Sequence, residues 1–290
     1  MSRPMRIRTR ERSAARPRIL PDWFVPTVLV AAVSMLFLVP FYWLLVSSAR
    51  PADRILADSD KFLPTEVTPE NYANLFAETA FLNWFGNSVI LAVGTTLGSL
   101  IVVTMAAYPL ARFRFRFRNA IFVSILSSQM VPFHLLLIPL FILMVNLKMI
   151  DTYLGVIFPL LAHPFGLFFM RQYMLSIPQD VLDAARVDGV SEYGIFFRIV
   201  VPMVKPALGT LAILFSLESW NDLLWPLIVM RSEQNFPLSV GIASMVGLYR
   251  PRWDLVLTAS VLATVPIVLL FISMRNAFLK GLGQLGIGGR

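Results

Sequence analysis

Six apolar runs, each long enough to cross a membrane, punctuate this chain and leave few folds open to it. A hydrocarbon core about 30 Å thick needs roughly 20 helical residues. The runs cover 24–46, 87–108, 120–145, 153–170, 207–230 and 255–274. In lipid every backbone polar group needs an internal partner, so runs of this length specify helices. The expected fold is all-α and integral to the membrane, a bundle of six transmembrane helices. The fourth run is the shortest and carries Pro159, His163 and Pro164. A kink, or burial inside the bundle, is expected there.

Composition agrees. The 290 residues are 57% hydrophobic and 14% charged, against about 25% charged in soluble domains. With no cysteine, disulfides and thiolate metal sites are excluded, and no metal is expected. The net charge of +8 does not point to nucleic acid, because the arginines gather beside apolar runs, as membrane orientation requires.

Arg3, Arg6, Arg8, Arg10, Arg12, Arg16 and Arg18 precede the first run against a single Glu11, which places the N-terminus in the cytoplasm. That run is too long for a signal-peptide core and no small-residue cleavage site follows, so it reads as a retained span. Counting spans brings Arg112, Arg114, Arg116 and Arg118 to the same side, an independent agreement. The loop 50–80, with Asp53, Asp58, Asp60, Glu66, Glu70 and Glu78, lies outside. Arg231, Arg250 and Arg252 also fall outside, against the general bias. Six spans return the C-terminus to the cytoplasm. The expected division is a basic cytoplasmic tail over 1–20, a transmembrane domain over 21–280 containing the loop 171–205, and a glycine-rich cytoplasmic tail over 281–290. The arginine-rich head reads as a topological tail, with a lipid- or RNA-binding arm as its alternative.

The cytoplasmic loop 171–205 holds the most distinctive segment, DAARVDGVSEYGIFFRIVVP at 183–202. Ser176 is expected to cap a helix, with Pro178 in its first turn and Asp180 and Asp183 near its positive end. Val181, Leu182, Ala184, Ala185 and Val187 form no single stripe, which fits a short helix packed on two sides. Gly189, after Asp188, is a natural stop because it tolerates a positive φ. Ser191 is then expected to cap a second helix carrying Tyr193, Phe196 and Phe197 and ended by Pro202. The small Ala184 and Ala185 near the tip would admit a partner's groove. An interfacial helix on lipid is the alternative, although this helix is acidic at its front.

The segment resembles the EAA loop of binding-protein-dependent ABC importer permeases. Asp183-Ala184-Ala185 stands for the Glu-Ala-Ala step, Asp188-Gly189 for the central Asp-Gly, and Ile199 to Pro202 for the closing apolar-Pro step. Asp183 keeps the charge of the usual glutamate on a shorter arm. Asn87-Ser88, Ala106-Ala107-Tyr108 and Ala111-Arg112 are similar to the second span of sugar-type permeases. Trp220-Asn221-Asp222 followed by Trp225-Pro226-Leu227 is similar to their fifth, and the glycine-rich end to the tail of the maltose-system type. The resemblance implies a type I importer permease with both termini cytoplasmic, and a multi-pass subunit in the cell membrane. Its implied partners are a second permease, an ATPase dimer and an extracytoplasmic solute-binding protein. It further implies that Asp183, Ala184, Ala185, Asp188, Gly189, Phe196, Phe197 and Pro202 form the coupling helix and its surroundings.

The chain carries no engine of its own. A P-loop needs Lys followed by Ser or Thr, and none of Lys61, Lys148, Lys205 and Lys280 is so followed. No cofactor is expected on this chain; ATP and Mg would sit on the partner ATPase. His134 and His163 lack a local carboxylate and read as polar residues inside the bundle.

Glu218 and Asp222 stand at i and i+4 in the fifth run, with Asn221 and Trp225 expected on the same face. Carboxylates at membrane depth face protein or a watery cavity, so this face, with Trp220, is a candidate solute path. Lying at the outer headgroups is its alternative. Asn87, Gln129 and His134 are secondary candidates, and Pro132 and Pro139 are expected to break the third helix beside such a path. A carbohydrate, polyol or sugar phosphate is the expected solute. A stand-alone secondary transporter would show paired repeats, and an intramembrane enzyme a dense polar cluster; neither pattern is present in the sequence.

Overall fold

The computed structural model describes residues 24–247 and 251–287. The expectations for the basic tail and for Arg250 lie outside the described residues, as do those for the last three residues of the glycine-rich end. The first helix, α1, spans Phe24–Ser48 with Pro40 inside it. Most of its large apolar side chains, such as Leu29, Met35 and Phe37, are exposed, as suits a lipid-facing span.

The remainder of the fold is built around one long helix. After a short helix α2, Glu70–Glu78, helix α3 runs Phe81–Arg112, about 48 Å at a 1.5 Å rise per residue. Its buried face is studded with Ser88, Ala92, Thr95, Thr96, Ser99 and Ala107, small residues that let neighbouring backbones approach closely. Helices α4 (Arg118–Ser127) and α5 (Phe133–Asn146) make the third expected span, and α6 (Tyr153–Leu160) and α7 (Pro164–Leu175) the fourth. Helices α8 (Gln179–Val187) and α9 (Glu192–Met203) form the elbow expected on the cytoplasmic side. They lead to α10 (Lys205–Asn221), α11 (Leu224–Val229), α12 (Leu238–Ser244) and the last helix α13, Trp253–Ile287. Helix α13 carries on into the segment 281–290 that was expected as a separate tail.

Three helices are individually long and apolar enough to span, and three bent pairs bring the number to six, among the described residues. The pairs depart from the expected continuous runs for identifiable reasons. The third run bends by 101° between α4 and α5, where Pro132 forces Val131 to an extended ψ of 115°. Pro139, expected to break the helix too, sits inside α5 without ending it. The fourth run bends by 51° at His163, which is extended before Pro164, and then reaches Leu175. The fifth run was read as continuous over 207–230, but α10 stops at Asn221, because Asp222 takes an extended ψ of 121°.

Three clusters fill the interior. One lies at the Arg112 end of α3, where Ala107, Tyr108, Phe169, Met170, Leu182, Ile195, Phe196 and Leu211 meet. A second, near the other end, joins Leu75, Phe81, Trp84, Leu238, Leu255 and Ala259. A third joins Leu91, Met144, Val156, Trp225 and Val229. Gly241 of α12 lies against Trp84 so closely that an added Cβ would stand 2.2 Å from the indole. The outer loop is pinned by Arg50, which is completely buried. Its guanidinium donates to Asp58 O at 2.7 Å and Lys61 O at 2.5 Å.

Candidate partner-docking elbow

The elbow owes its shape to three local codes. Helix α8 ends in a Schellman motif: Val190 N donates to Ala185 O and Gly189 N to Arg186 O, both at 3.0 Å. Gly189 takes φ +77°, as the sequence required. Ser191 then caps α9, accepting from Gly194 N at 3.2 Å, also as read from sequence. Ser176 does not cap α8. Its hydroxyl donates back to Tyr173 O at 2.7 Å, and the helix begins at Gln179 because Pro178 is extended, with ψ 134°.

Pro202 does not end α9. Phe196–Val200 winds as a π-helical turn and the helix continues to Met203. A widened turn relieves the clash between a proline ring and the carbonyl four residues earlier, so Pro202 is carried inside the helix. The break comes at Val204, where α9 and α10 meet at 72°.

Packing sorts the elbow into two faces. Leu182 and Ala185, three residues apart, are buried, with Ile195, Phe196 and Val200 beside them. The helix is therefore packed on one side, where two had been expected. Ala184 faces outward and Ala185 inward. The outer surface offers Asp183, Ala184, Asp188 and Gly189, together with Val187 at 88% exposure, Tyr193 at 81% and Phe197 at 59%. Val187 and Tyr193 were not singled out as contact residues. Their signal was large apolar side chains flanking an Asp-Gly turn, where a solvated loop would carry polar ones.

A chain of polar contacts ties the elbow to the end of α3. Arg112 donates from Nη1 to Gln179 Oε1 at 3.1 Å, and from Nη2 to Met174 O and Ile177 O. Gln179 Nε2 donates to Asp183 Oδ1 at 3.1 Å. Arg186 grips Asp183 Oδ1 through Nη1 and Glu192 Oε1 through Nε, both at 2.7 Å. Tyr108 OH closes the chain on Glu192 Oε2 at 2.8 Å. The hydrogen bonds from Arg186 and then Gln179 hold the Asp183 carboxyl below its ordinary range. The bonds to Glu192 and then Asp183 raise the Arg186 guanidinium above its own. The elbow is thus charged, ordered and anchored, while its apolar tip is uncovered.

The candidate path residues do not gather as one face. Asn87 is buried and fully engaged: its amide donates to Gln234 O at 2.7 Å and Phe236 O at 2.9 Å, and its oxygen accepts from Tyr153 OH at 2.7 Å. Trp225 is wholly buried and donates to Gly155 O at 3.2 Å. It lies beyond the end of α10, so it does not share a helical face with Glu218 and Asn221. Asp222 also lies past that end, where Oδ1 accepts from Trp225 N at 3.4 Å. Trp220 donates to Ala263 O at 3.2 Å and meets Phe85 edge-on. Glu218 and Asn221 are exposed, as are Gln129 and His134 on either side of the Pro132 bend. His134 is therefore not interior. His163 does have carboxylate company, supplied from a distance: its Nδ1 lies 3.8 Å from Glu218 Oε2, with the ring stacked on Phe215 at 4.2 Å.

Comparison with known proteins adds to this geometry. Residues 98–284 match the family described as binding-protein-dependent transport system inner membrane component. The arabinooligosaccharides transport system permease protein AraQ of Bacillus subtilis (strain 168) is 41% identical over 269 residues, covering 91% of this chain and 95% of that protein. The lactose transport system permease protein LacG of Rhizobium radiobacter is 32% identical over 265 residues, covering 91% and 96%. A solved bacterial ABC transporter involved in the import of the acidic polysaccharide alginate matches with a TM-score of 0.78 at 23% identity. That match covers 88% of this chain and 95% of the other, and at that identity it speaks to the fold alone.

Proposed function

Because this chain belongs to the family of binding-protein-dependent transport system inner membrane components, we propose that it is the permease subunit of an ATP-driven importer that carries a carbohydrate across the cell membrane. It has the type I ABC importer permease fold and is a multi-pass membrane protein. The carbohydrate class is supported by relatives named for arabinooligosaccharides and lactose. Oligosaccharides, polyols and sugar phosphates all fall within it.

The observation that carries the reading is the elbow, a rigid hairpin anchored to α3 with Val187, Tyr193 and Phe197 uncovered at its tip. An ordered apolar tip at the cytoplasmic end suits a cleft on another protein. That protein is an ATPase dimer, which holds ATP and Mg. Its closure moves α8, and the motion passes through Arg186, Glu192 and Tyr108 to α3. A second permease subunit completes the translocation path, and an extracytoplasmic solute-binding protein delivers the solute. Within this chain, the exposed Glu218 and Asn221, with Gln129 and His134, face the path. Asn87, Trp220 and Trp225 hold its walls in place.

The test is reconstitution. The full assembly in proteoliposomes takes up the solute only when ATP is supplied, and V187D/Y193D, which charges the tip, loses both the ATPase and uptake. ATP-independent uptake by the purified chain alone would overturn the proposal, as would full ATPase retention in V187D/Y193D.

A further inference from the structure

The segment Arg112 to Arg118 alternates arginine and phenylalanine without interruption, and topology alone does not account for its structure. No carboxylate occurs anywhere between Glu78 and Asp151, and no ion pair involves the segment among the described residues. Its four arginines divide into two kinds. Arg112 turns inward to Met174 O and Ile177 O, and Arg118 donates to Phe113 O at 3.1 Å. Arg114 and Arg116 are exposed, and the Arg116 guanidinium lies 5.0 Å above the Phe117 ring. The aromatics divide in the same way. Phe113 packs edge-on against Tyr108, whereas Phe115 and Phe117 are 42% and 64% exposed. A left-handed φ of 68° at Phe117 sends the chain abruptly into α4. An open hollow forms here, lined by Arg114, Phe115, Phe117, Arg118, Asn119 and Ala120.

The segment joins two spans directly and so lies at the membrane boundary. Exposed phenylalanines at that depth gain by entering the acyl boundary, and free guanidiniums beside them then meet the layer of phosphates. We infer that Arg114 and Arg116, with Phe115 and Phe117, form a binding site for the headgroup of an anionic phospholipid of the cytoplasmic leaflet. Charge complementarity selects this occupant: the patch is cationic with no internal counter-charge, and each such charge near an anionic surface strengthens binding about fivefold, or roughly thirtyfold for two.

The test measures lipid retained by the full chain after incubation with phosphatidylglycerol or phosphatidylcholine vesicles, read by native mass spectrometry. The wild-type chain retains phosphatidylglycerol preferentially. R114Q/R116Q retains roughly thirtyfold less, the single variants about fivefold less each, and R114K/R116K keeps most of the binding. The single variants carry the test should the double variant fail to fold. Equal retention of both lipids, or unchanged retention in the glutamine variants, overturns the inference. So does displacement by soluble glycerol phosphate at matched concentration, which would mark a free-phosphate site. Loss of the ATPase from R114Q/R116Q with lipid binding intact would likewise overturn it, assigning the patch to a protein partner.

Discussion

Arg186 reaches across the Asp188–Gly189 turn to Glu192, Nε to Oε1 at 2.7 Å, and so locks the two helices of the elbow to each other. The same guanidinium holds Asp183 one turn back. An exposed ion pair contributes only about 0–1 kcal/mol. R186M, which loses both pairs, is therefore expected to lower subunit stability by no more than about 2 kcal/mol. Uptake should nonetheless fall severalfold while ATP hydrolysis continues, because the hairpin no longer moves as one piece. Parallel melting, hydrolysis and uptake assays check this; equal losses in all three would remove the special role of the pair.

Gly189 tests the backbone in isolation. An added Cβ meets nothing within 4 Å, yet φ is +77°. G189A should cost about 1–2 kcal/mol through the left-handed conformation alone, and G189N much less, since asparagine tolerates that region. Thermal unfolding of the detergent-solubilised chain, with G189A no more costly than G189N, would contradict this account.

Trp225 and Glu218 test the proposed division between wall and path. W225A empties a completely buried site and breaks the bond to Gly155 O, at a cost of about 3–5 kcal/mol. E218Q removes the charge from a side chain that is 67% exposed. It should leave stability nearly unchanged while altering solute uptake. Low yield or a lowered melting temperature in E218Q would place the carboxylate in the structural frame.

Asp151 supplies a pH signature on the outer side. Its burial would raise the carboxyl, but hydrogen bonds from the Ser232 hydroxyl and from the amides of Arg231 and Ser232 outweigh it, lowering the pKa to about 2. A depressed folded-state value stabilises the fold above the ordinary value of 3.8, and the benefit is lost as pH falls toward about 2. The wild type should lose stability across that window. D151N should be weaker at neutral pH and lose less stability than the wild type across it, as followed by acid melts of the solubilised chain.

What was legible in the sequence was whatever a short stretch encodes by itself. Gly189 and Ser191 wrote the turn and the second cap in their own backbone and side-chain chemistry. Pro132 wrote the bend in the third span. Pairing across the chain was not legible. Asn87 looked like a polar group free to meet solute, and only its bonds to residues far along the chain, Tyr153, Gln234 and Phe236, show it to be engaged. His163 looked to lack a carboxylate for the same reason, its neighbour Glu218 lying far along the chain. The fifth run hid its break because Leu223 to Val229 stays apolar after the chain has left the helix at Asp222. The one-sided burial of α8 depends on a groove that Tyr108, Ile195 and Phe196 build only once the bundle is assembled.

The 72° bend at the completely buried Val204 makes α9 and α10 a crank. A thrust along α9 meets α10 mostly crosswise, so it arrives as torque about the Val204 corner with little axial push. On the proposed coupling, the fifth span would swing about its foot at Val204, and its far end, where Glu218 and Asn221 sit, would have the longest arc.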